Sequence, residues 1–455
     1  MSGSGEHFSN RYSVVAALAG SAIGLGNIWR FPYMIGEYGG ALFIFFYLIC
    51  SVFIALPIFF SESIIGRRGG SGVQASFKAI DPKGKWSVVG FLCLLAPLLV
   101  MSYYSVVGGW SLDYLIKSFE GYFMKVQPSE AIKYFSLFSS APWLPLLMHM
   151  IFLGVSAVIV SKGVEKGIGR INKRVVPVLF LLIVIILVYS LSLPGAKAGV
   201  EYLVKPDFSK AGAGVVAAAM GQSFFSLSLG IGTILVYSSY IKKSENIPFS
   251  GVLTVLFDTV FALLAAFAIM PAVFSGGIEP SAGPSLVFET LPYIFSSMQG
   301  LSPVLSYCVP VVFFLAILLA AVTSEISLFE VGTNFLMRNR KMSRKKASWI
   351  VFCFGLLLGI PCSLSFGPLK DFTFFNKTIF EILDFSASNV LMFAGALIFT
   401  MFVGWRMKKA DVRDELSNGG TLKGVDRIFN PLYFWIKYVI PVVIILLFVL
   451  NLAMS

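Results

Sequence analysis

Charge is scarce in this chain of 455 residues: Asp, Glu, Lys and Arg make up only 13% of it, about half the share of an ordinary soluble domain. The two histidines, His7 and His149, are too few for a multi-histidine metal site. The five cysteines (Cys50, Cys93, Cys308, Cys353 and Cys362) all lie in apolar runs without paired spacing, so neither a disulfide framework nor a zinc site is expected. No Walker-type phosphate loop and no hydrolase elbow occurs, which leaves nothing pointing to ATP or to bond-breaking chemistry. What fills the chain instead is hydrocarbon, with 57% hydrophobic residues and a mean hydropathy of +0.84. Each crossing of a bilayer core about 30 Å thick takes roughly 20 apolar residues, so the composition predicts an all-α polytopic membrane protein. The first apolar run ends in Arg30 rather than in a small-residue cleavage site, so no cleaved signal is expected.

The net charge of +12 would suit nucleic acid if it were clustered on one surface, but its placement says otherwise. Twenty-five of the 35 Lys and Arg residues fall at Arg11 and in 66–86, 161–175, 241–246, 337–347 and 405–428, which are alternate connections between apolar runs. The connections between them hold few. This is the positive-inside pattern, which predicts a cytoplasmic N-terminus in a plasma membrane and no nucleic-acid partner.

Apolar runs at about 12–36, 41–65, 88–117, 143–161, 172–193, 211–240, 247–275, 305–336, 347–366, 376–405 and 430–452 predict eleven spans and an extracytoplasmic C-terminus. The segment 276–300 carries Pro and Gly punctuation with helical spacing of Leu286, Leu291 and Ile294, and reads as an extracellular helical lid. Two spans are unusual: LAGSAIGLGN at 18–27 and SLSLGIGT at 226–233 put glycines and small residues in mid-span. Close glycine pairs favour a break, although small residues also serve tight helix packing, and either segment alone leaves both readings open. Together they fall about 206 positions apart, one in each half of ten spans that divide five plus five. Because five is odd, the second half enters the membrane from the opposite side. The expected organisation is a first repeat over 10–193, an inverted second repeat over 211–405 and an additional helix at 430–452. Broken helices in matching positions of inverted repeats point to a transporter's midplane site.

The segments GSAIGLGNIWRFPY at 20–33 and GQSFFSLSLGIG at 221–232 resemble the neurotransmitter:sodium symporters, in particular their bacterial amino-acid branch and its eleven-helix hydrophobic amino-acid transporters. The resemblance runs from Glu6 to the end of the tenth span, and only the twelfth helix of many relatives is missing. It implies two sodium sites built from hard oxygen ligands. The first would use the Ala22 carbonyl, the Asn27 side chain, Ser226, Asp258 and the substrate carboxylate. The second would use carbonyls of Gly20, Ile23 and Ala320 with the hydroxyls of Thr323 and Ser324. Most relatives carry Asn at the position of Asp258 and neutralise the sodium charge with chloride or with an acid one turn later, where this chain has Ala262. Chloride independence is therefore expected, with Tyr47 and Gln222 hydrogen bonding to Asp258, and with Asp258 able to carry a proton back on the empty return step.

Gly24 stands where amine-transporting relatives have Asp, which implies an amino-acid substrate. By the same resemblance, N–H groups near Leu25 and Gly26 and the Tyr104 hydroxyl would hold its carboxylate. Carbonyls of Ala22, Phe225 and Ser226, with Ser228, would accept its ammonium. Val100, Tyr104, Phe225, Ile231, Ser324 and Leu328 would surround its side chain, and this uncharged lining implies a neutral hydrophobic L-amino acid. The outer gate would pair Arg30 with Asp384, closed over Phe225 and Tyr104. On the inner side the family's Arg aligns with Gly5 and its Asp partner with Arg338, so that ion pair is expected to be missing. Phe8 would remain as an aromatic plug, with Glu62 and Tyr240 as polar anchors. Gly167 and Pro177 have the spacing of relatives that unwind the fifth helix to admit water to the second sodium site. The implied function is sodium-coupled import by alternating access, with membrane lipid and a small amino acid as partners and no obligate protein partner. A proton-coupled carrier of the same architecture is the alternative.

Overall fold

A computed structural model describes residues 6–277, 286–297, 302–422 and 424–454. Helix is the only regular element among them apart from one isolated bridge between Phe374 and Lys377. Nine helices are long and apolar enough to cross a membrane among the described residues: α3 (Ala41–Gly69), α4 (Trp86–Phe119), α5 (Leu144–Ser161), α6 (Val164–Leu191), α9 (Ile247–Ser275), α10 (Pro303–Arg340), α11 (Arg344–Leu364), α12 (Ile379–Arg406) and α14 (Val425–Leu450). A tenth is the bent pair α1 (Arg11–Ala22) and α2 (Gly26–Glu37). The interrupted pair α7 (Ala213–Ser226) and α8 (Thr233–Ser238) occupies the place of the remaining expected span. The short polar helix α13 (Lys409–Ser417) lies between α12 and α14.

Both interruptions follow from local sequence. The Asn10 side chain caps α1 by accepting from the Ser13 N–H. That helix runs to Ala22, where Ile23 turns extended (ψ 100°) and the chain bends by 46° into α2. At the second break Ser228, Gly230 and Gly232 all have positive φ, at 53°, 79° and 75°. The same turn packs backbone against backbone, since a Cβ on Gly230 would stand 1.9 Å from the Met392 carbonyl oxygen. Glu62 of α3 fixes the turn by accepting the Gly230 N–H at 2.7 Å. Only glycine satisfies both the dihedral angle and the approach.

Around these breaks α10 is the longest support, with 38 residues or about 57 Å of helix, packed along α4 and against α1. α6 and α9 close the other flank of α1. α6 is wound through Gly167 and Pro177, opening in a π-helical turn at Val164–Gly169. Of the segment expected as a lid, residues 278–285 and 298–300 lie outside the described residues. The helix Thr290–Ser297 within it buries Leu291 and Ile294, and the Tyr114 hydroxyl of α4 donates to the Phe288 carbonyl at 2.7 Å.

Candidate functional site

The two interruptions face one another across a small cavity with free volume of about 20 Å³. Its walls come from the first break (Ala22, Gly24, Gly26), the second (Phe225, Ser226, Ser228, Ile231), α4 (Val100, Tyr104), α10 (Ser324, Leu328) and α12 (Met392). Of the residues expected around a substrate, only Leu25 is not on the wall; its N–H donates to the Tyr104 hydroxyl at 2.9 Å. Met392 was not foreseen, because nothing in MFAGALIF marks it; it reaches the cavity through the contact of α12 with Gly230. Gly24 is sterically fixed: a Cβ there would lie 2.1 Å from Ser324 Oγ and 2.8 Å from the Tyr104 oxygen.

One end of the cavity is a buried polar cluster. Asp258 of α9 is fully buried and accepts from Asn27 Nδ2 at 2.8 Å, from Ser226 Oγ at 2.8 Å and from the Tyr47 hydroxyl at 3.2 Å. The Asn27 amide also donates to Ser226 Oγ at 3.0 Å, while its oxygen accepts the Gly24 N–H at 2.9 Å. An intramembrane carboxylate is costly unless so satisfied. Gln222 departs from expectation: its Nε2 donates to the Gly26 carbonyl at 3.0 Å and not to Asp258. The same carbonyl also accepts the Phe31 N–H of the turn that opens α2, so the Gln222 amide ties α7 to that turn.

Part of the expected second cluster is brought together. Thr323 Oγ1 donates towards the carbonyls of Ile23 at 3.2 Å and Ala320 at 2.9 Å, and Ser324 Oγ towards Ser21 O at 3.2 Å. Gly20 is packed against Asn172 of α6. Beside this cluster Glu325 is fully buried, and neither of its carboxylate oxygens has a hydrogen-bond partner among the described residues. Its signal in the sequence is a carboxylate directly after Thr323 and Ser324 within a span, which the resemblance leaves without a role.

Above the cavity the Arg30 guanidinium lies over the Phe225 ring at 4.4 Å, and Asp384 accepts from Ser388 Oγ at 2.9 Å. No ion pair joins Arg30 to Asp384 among the described residues, and the closure over Phe225 is a cation–π contact. Below it, Phe8 sits edge-on to Tyr237 and Tyr240 at 6.0 and 6.2 Å, with its N–H on the Tyr240 carbonyl. The inner ion pair expected to be missing is present in another form. Arg344, the first residue of α11, pairs with Glu6 and with Glu330 of α10, the latter at 2.6 Å. Tyr240 donates to Glu330 and accepts from Asn334 Nδ2. Alignment hid this because the acid now comes from the N-terminal segment and the base from the start of α11.

Comparison with known proteins agrees with this geometry. A family model described as the sodium:neurotransmitter symporter family matches residues 5–128 and 140–455. An uncharacterised sodium-dependent transporter of Bacillus subtilis, YhdH, is 36% identical over 98% of this chain and 97% of its own. Another from Haemophilus influenzae is 34% identical over 98% of both chains. Among solved structures, MhsT in complex with L-phenylalanine superposes with a TM-score of 0.89 at 38% identity, covering 98% of this chain and 99% of that one. With its helices, both breaks and the whole chain length accounted for, this protein is an integral membrane transporter and belongs to the sodium:neurotransmitter symporter family.

Proposed function

We propose that the chain imports neutral apolar L-amino acids, coupled to two sodium ions, by alternating access between the outer and cytosolic sides of a bacterial plasma membrane. The observation that carries this reading is the division of the cavity. Its polar half consists of main-chain groups and hydroxyls freed by the two breaks, and its other half, Val100, Ile231, Leu328 and Met392, is apolar and uncharged. The L-phenylalanine bound to MhsT supports an amino acid as the cargo.

The first sodium would sit among the Ala22 carbonyl, Asn27, Ser226 and Asp258, and the second among Gly20, Ile23, Ala320, Thr323 and Ser324. In the described arrangement the Asn27 nitrogen faces Asp258, so ion entry at the first site requires this carboxamide to turn its oxygen inward. Asp258 supplies the negative charge that chloride would otherwise bring, which supports chloride independence. Once sodium leaves, three donors remain on that carboxylate, and a proton carried there would reduce the net charge moved per cycle. The basic face with Glu6, Arg344 and the loop helices is the cytosolic one by the positive-inside pattern. Two sodium ions moving through about 100 mV and a tenfold gradient supply about 7.4 kcal/mol, enough for roughly 10⁵-fold accumulation.

Uptake of labelled leucine or phenylalanine into proteoliposomes tests the reading. It should fail when choline replaces sodium and persist when gluconate replaces chloride. Uptake driven by a pH gradient in choline would refute sodium coupling in favour of a proton-coupled carrier.

A further inference from the structure

Asn172 is the polar residue of α6 that the fold explains least. It is wholly buried, and neither Oδ1 nor Nδ2 has a hydrogen-bond partner among the described residues. Buried amides are normally bonded, and an unbonded one weakens the fold compared with an apolar side chain of similar size. Its position is specific. A Cβ built on Gly20 would fall 2.2 Å from Asn172 Oδ1, so the carboxamide oxygen lies directly against the α1 backbone two residues before the break. Asn172 lines neither the substrate cavity nor the apolar groove on the outer side of α1 and α6.

The same face of α6 continues towards the cytosolic side at helical spacing through Gly169 and Glu165. A Cβ on Gly169 would meet Ser13 Oγ at 2.9 Å and Glu165 Oε2 at 3.2 Å, so a glycine is what leaves these oxygens side by side. Glu165 accepts from Ser9 N at 3.0 Å and Ser13 Oγ at 2.8 Å, and pairs with Lys173 at 2.5 Å. The seam between α1 and α6 therefore holds oxygen atoms at intervals from the helix break to the cytosolic mouth. Asn172 is the one among them with an uncommitted oxygen.

We propose that Asn172 Oδ1 is a transient sodium ligand on the exit route from the second site. As the ion leaves the carbonyls and hydroxyls of that site, the carboxamide replaces a lost ligand without adding charge, and Glu165 receives the ion at the mouth. Sodium is satisfied by neutral oxygens of this kind. A neutral relay speeds departure without holding the ion, which a carboxylate at the same place would do. The proposal rests on the reading of Thr323 and Ser324 as second-site ligands.

The test uses the full-length chain in nanodiscs, with sodium release followed by stopped-flow fluorescence after dilution into choline, and with equilibrium sodium dependence and thermal stability measured alongside. Asn172→Leu and Asn172→Ala should fold with unchanged or higher melting temperature and keep the sodium half-saturation within about twofold. Both should release sodium about tenfold more slowly, which corresponds to about 1.4 kcal/mol of added barrier. Asn172→Asp should hold sodium more tightly than the parent. Thr323→Ala should raise the sodium half-saturation itself. Parent-like release in both apolar variants would overturn the relay while leaving the second site standing, as would a half-saturation shift matching that of Thr323→Ala. Thr323→Ala without effect would remove the second site and the relay with it.

Discussion

Replacing Arg344 with alanine measures what keeps the proposed cytosolic side shut. Its two partners differ in burial: the Glu330 side chain is 0% exposed and that of Glu6 39%. The half-open pair with Glu6 contributes about 0.2–1 kcal/mol. Stripping the partner from a buried carboxylate costs roughly 3–5 kcal/mol, of which the remaining Tyr240 hydroxyl bond offsets a part, leaving about 2–4 kcal/mol. The loss falls on the closed form. Phe8 and His7 hang on the Tyr240 carbonyl, Tyr240 on Glu330 and Glu330 on Arg344, so opening this side dissolves contacts that the substitution has already weakened. At 1.4 kcal/mol per decade the equilibrium moves roughly 30- to 700-fold towards the cytosol-open form. The assay is thiol labelling at Ser239→Cys, a buried position beside the cluster, in a background with the exposed Cys308 and Cys353 changed to serine. In sodium the labelling rate should rise at least tenfold in Arg344→Ala. It should fall back in the double variant Arg344→Met with Glu330→Gln, which removes both charges. A rate within twofold of the parent would refute the reasoning, since the cluster would then be indifferent to opening.

Asp258→Asn should raise the sodium half-saturation for substrate binding by roughly tenfold or more, about 1.4 kcal/mol, and sodium titration of radioligand binding checks it; an unchanged curve would remove Asp258 from the ion site. Gly24→Ala should fold yet lose substrate binding, because its methyl group would fall 2.1 Å from Ser324 Oγ; retention of parent affinity by scintillation proximity would contradict the packing. For Glu415 of α13, burial raises the pKa, but hydrogen bonds from Lys243 and Arg67 outweigh it and hold the carboxyl below its ordinary 4.5. A depressed native pKa gives stabilisation that is complete above the unfolded value and fades as pH falls through the native one. The docking of α13 on α3 should accordingly persist at neutral pH and loosen only in acid below about pH 4.5. The distance between spin labels on the two helices reports this, and loosening already at pH 6 would contradict it.

What was legible in the sequence was what the bilayer and the backbone dictate. Apolar run lengths located the spans, and paired glycines located both breaks, because a φ near +79° at Gly230 against the Met392 carbonyl admits no other residue. The hydroxyls and amides near the breaks were named only through the family resemblance, and of these the structure gathers Asn27 and Ser226 on Asp258 and Thr323 on the Ile23 and Ala320 carbonyls. The misses share another cause. Met392 enters the cavity, Gln222 turns to the Gly26 carbonyl and Arg344 reaches Glu6 through contacts between distant parts of the chain, and no local periodicity encodes them. Position-by-position transfer failed at the inner cluster for a physical reason: an ion pair requires opposite charges in contact, not a given sign on a given helix. An acid one residue beyond Gly5, Glu6, and a cation from α11 make a contact of opposite charges without the expected signature.

The arrangement also constrains how the two broken helices can move. At the level of the breaks they are joined through shared groups: Asn27 bonds Ser226, both bond Asp258, and Gln222 bonds the Gly26 carbonyl. On the cytosolic side they are joined by different and separable groups, the Phe8 N–H on the Tyr240 carbonyl and the Arg344 cluster. The midpoint cluster lies fully buried on α9, so parting it would strand several polar groups at once, whereas one of the cytosolic contacts, the Arg344 pair with Glu6, is half open to water. The cheaper motion is therefore a pivot about the Asp258 cluster, with the far ends of α1 and α8 swinging. At the proposed first sodium site, an ion bound at the pivot would engage groups from both helices and from α9 together. Its presence is then felt at either end without any contact to the gates themselves.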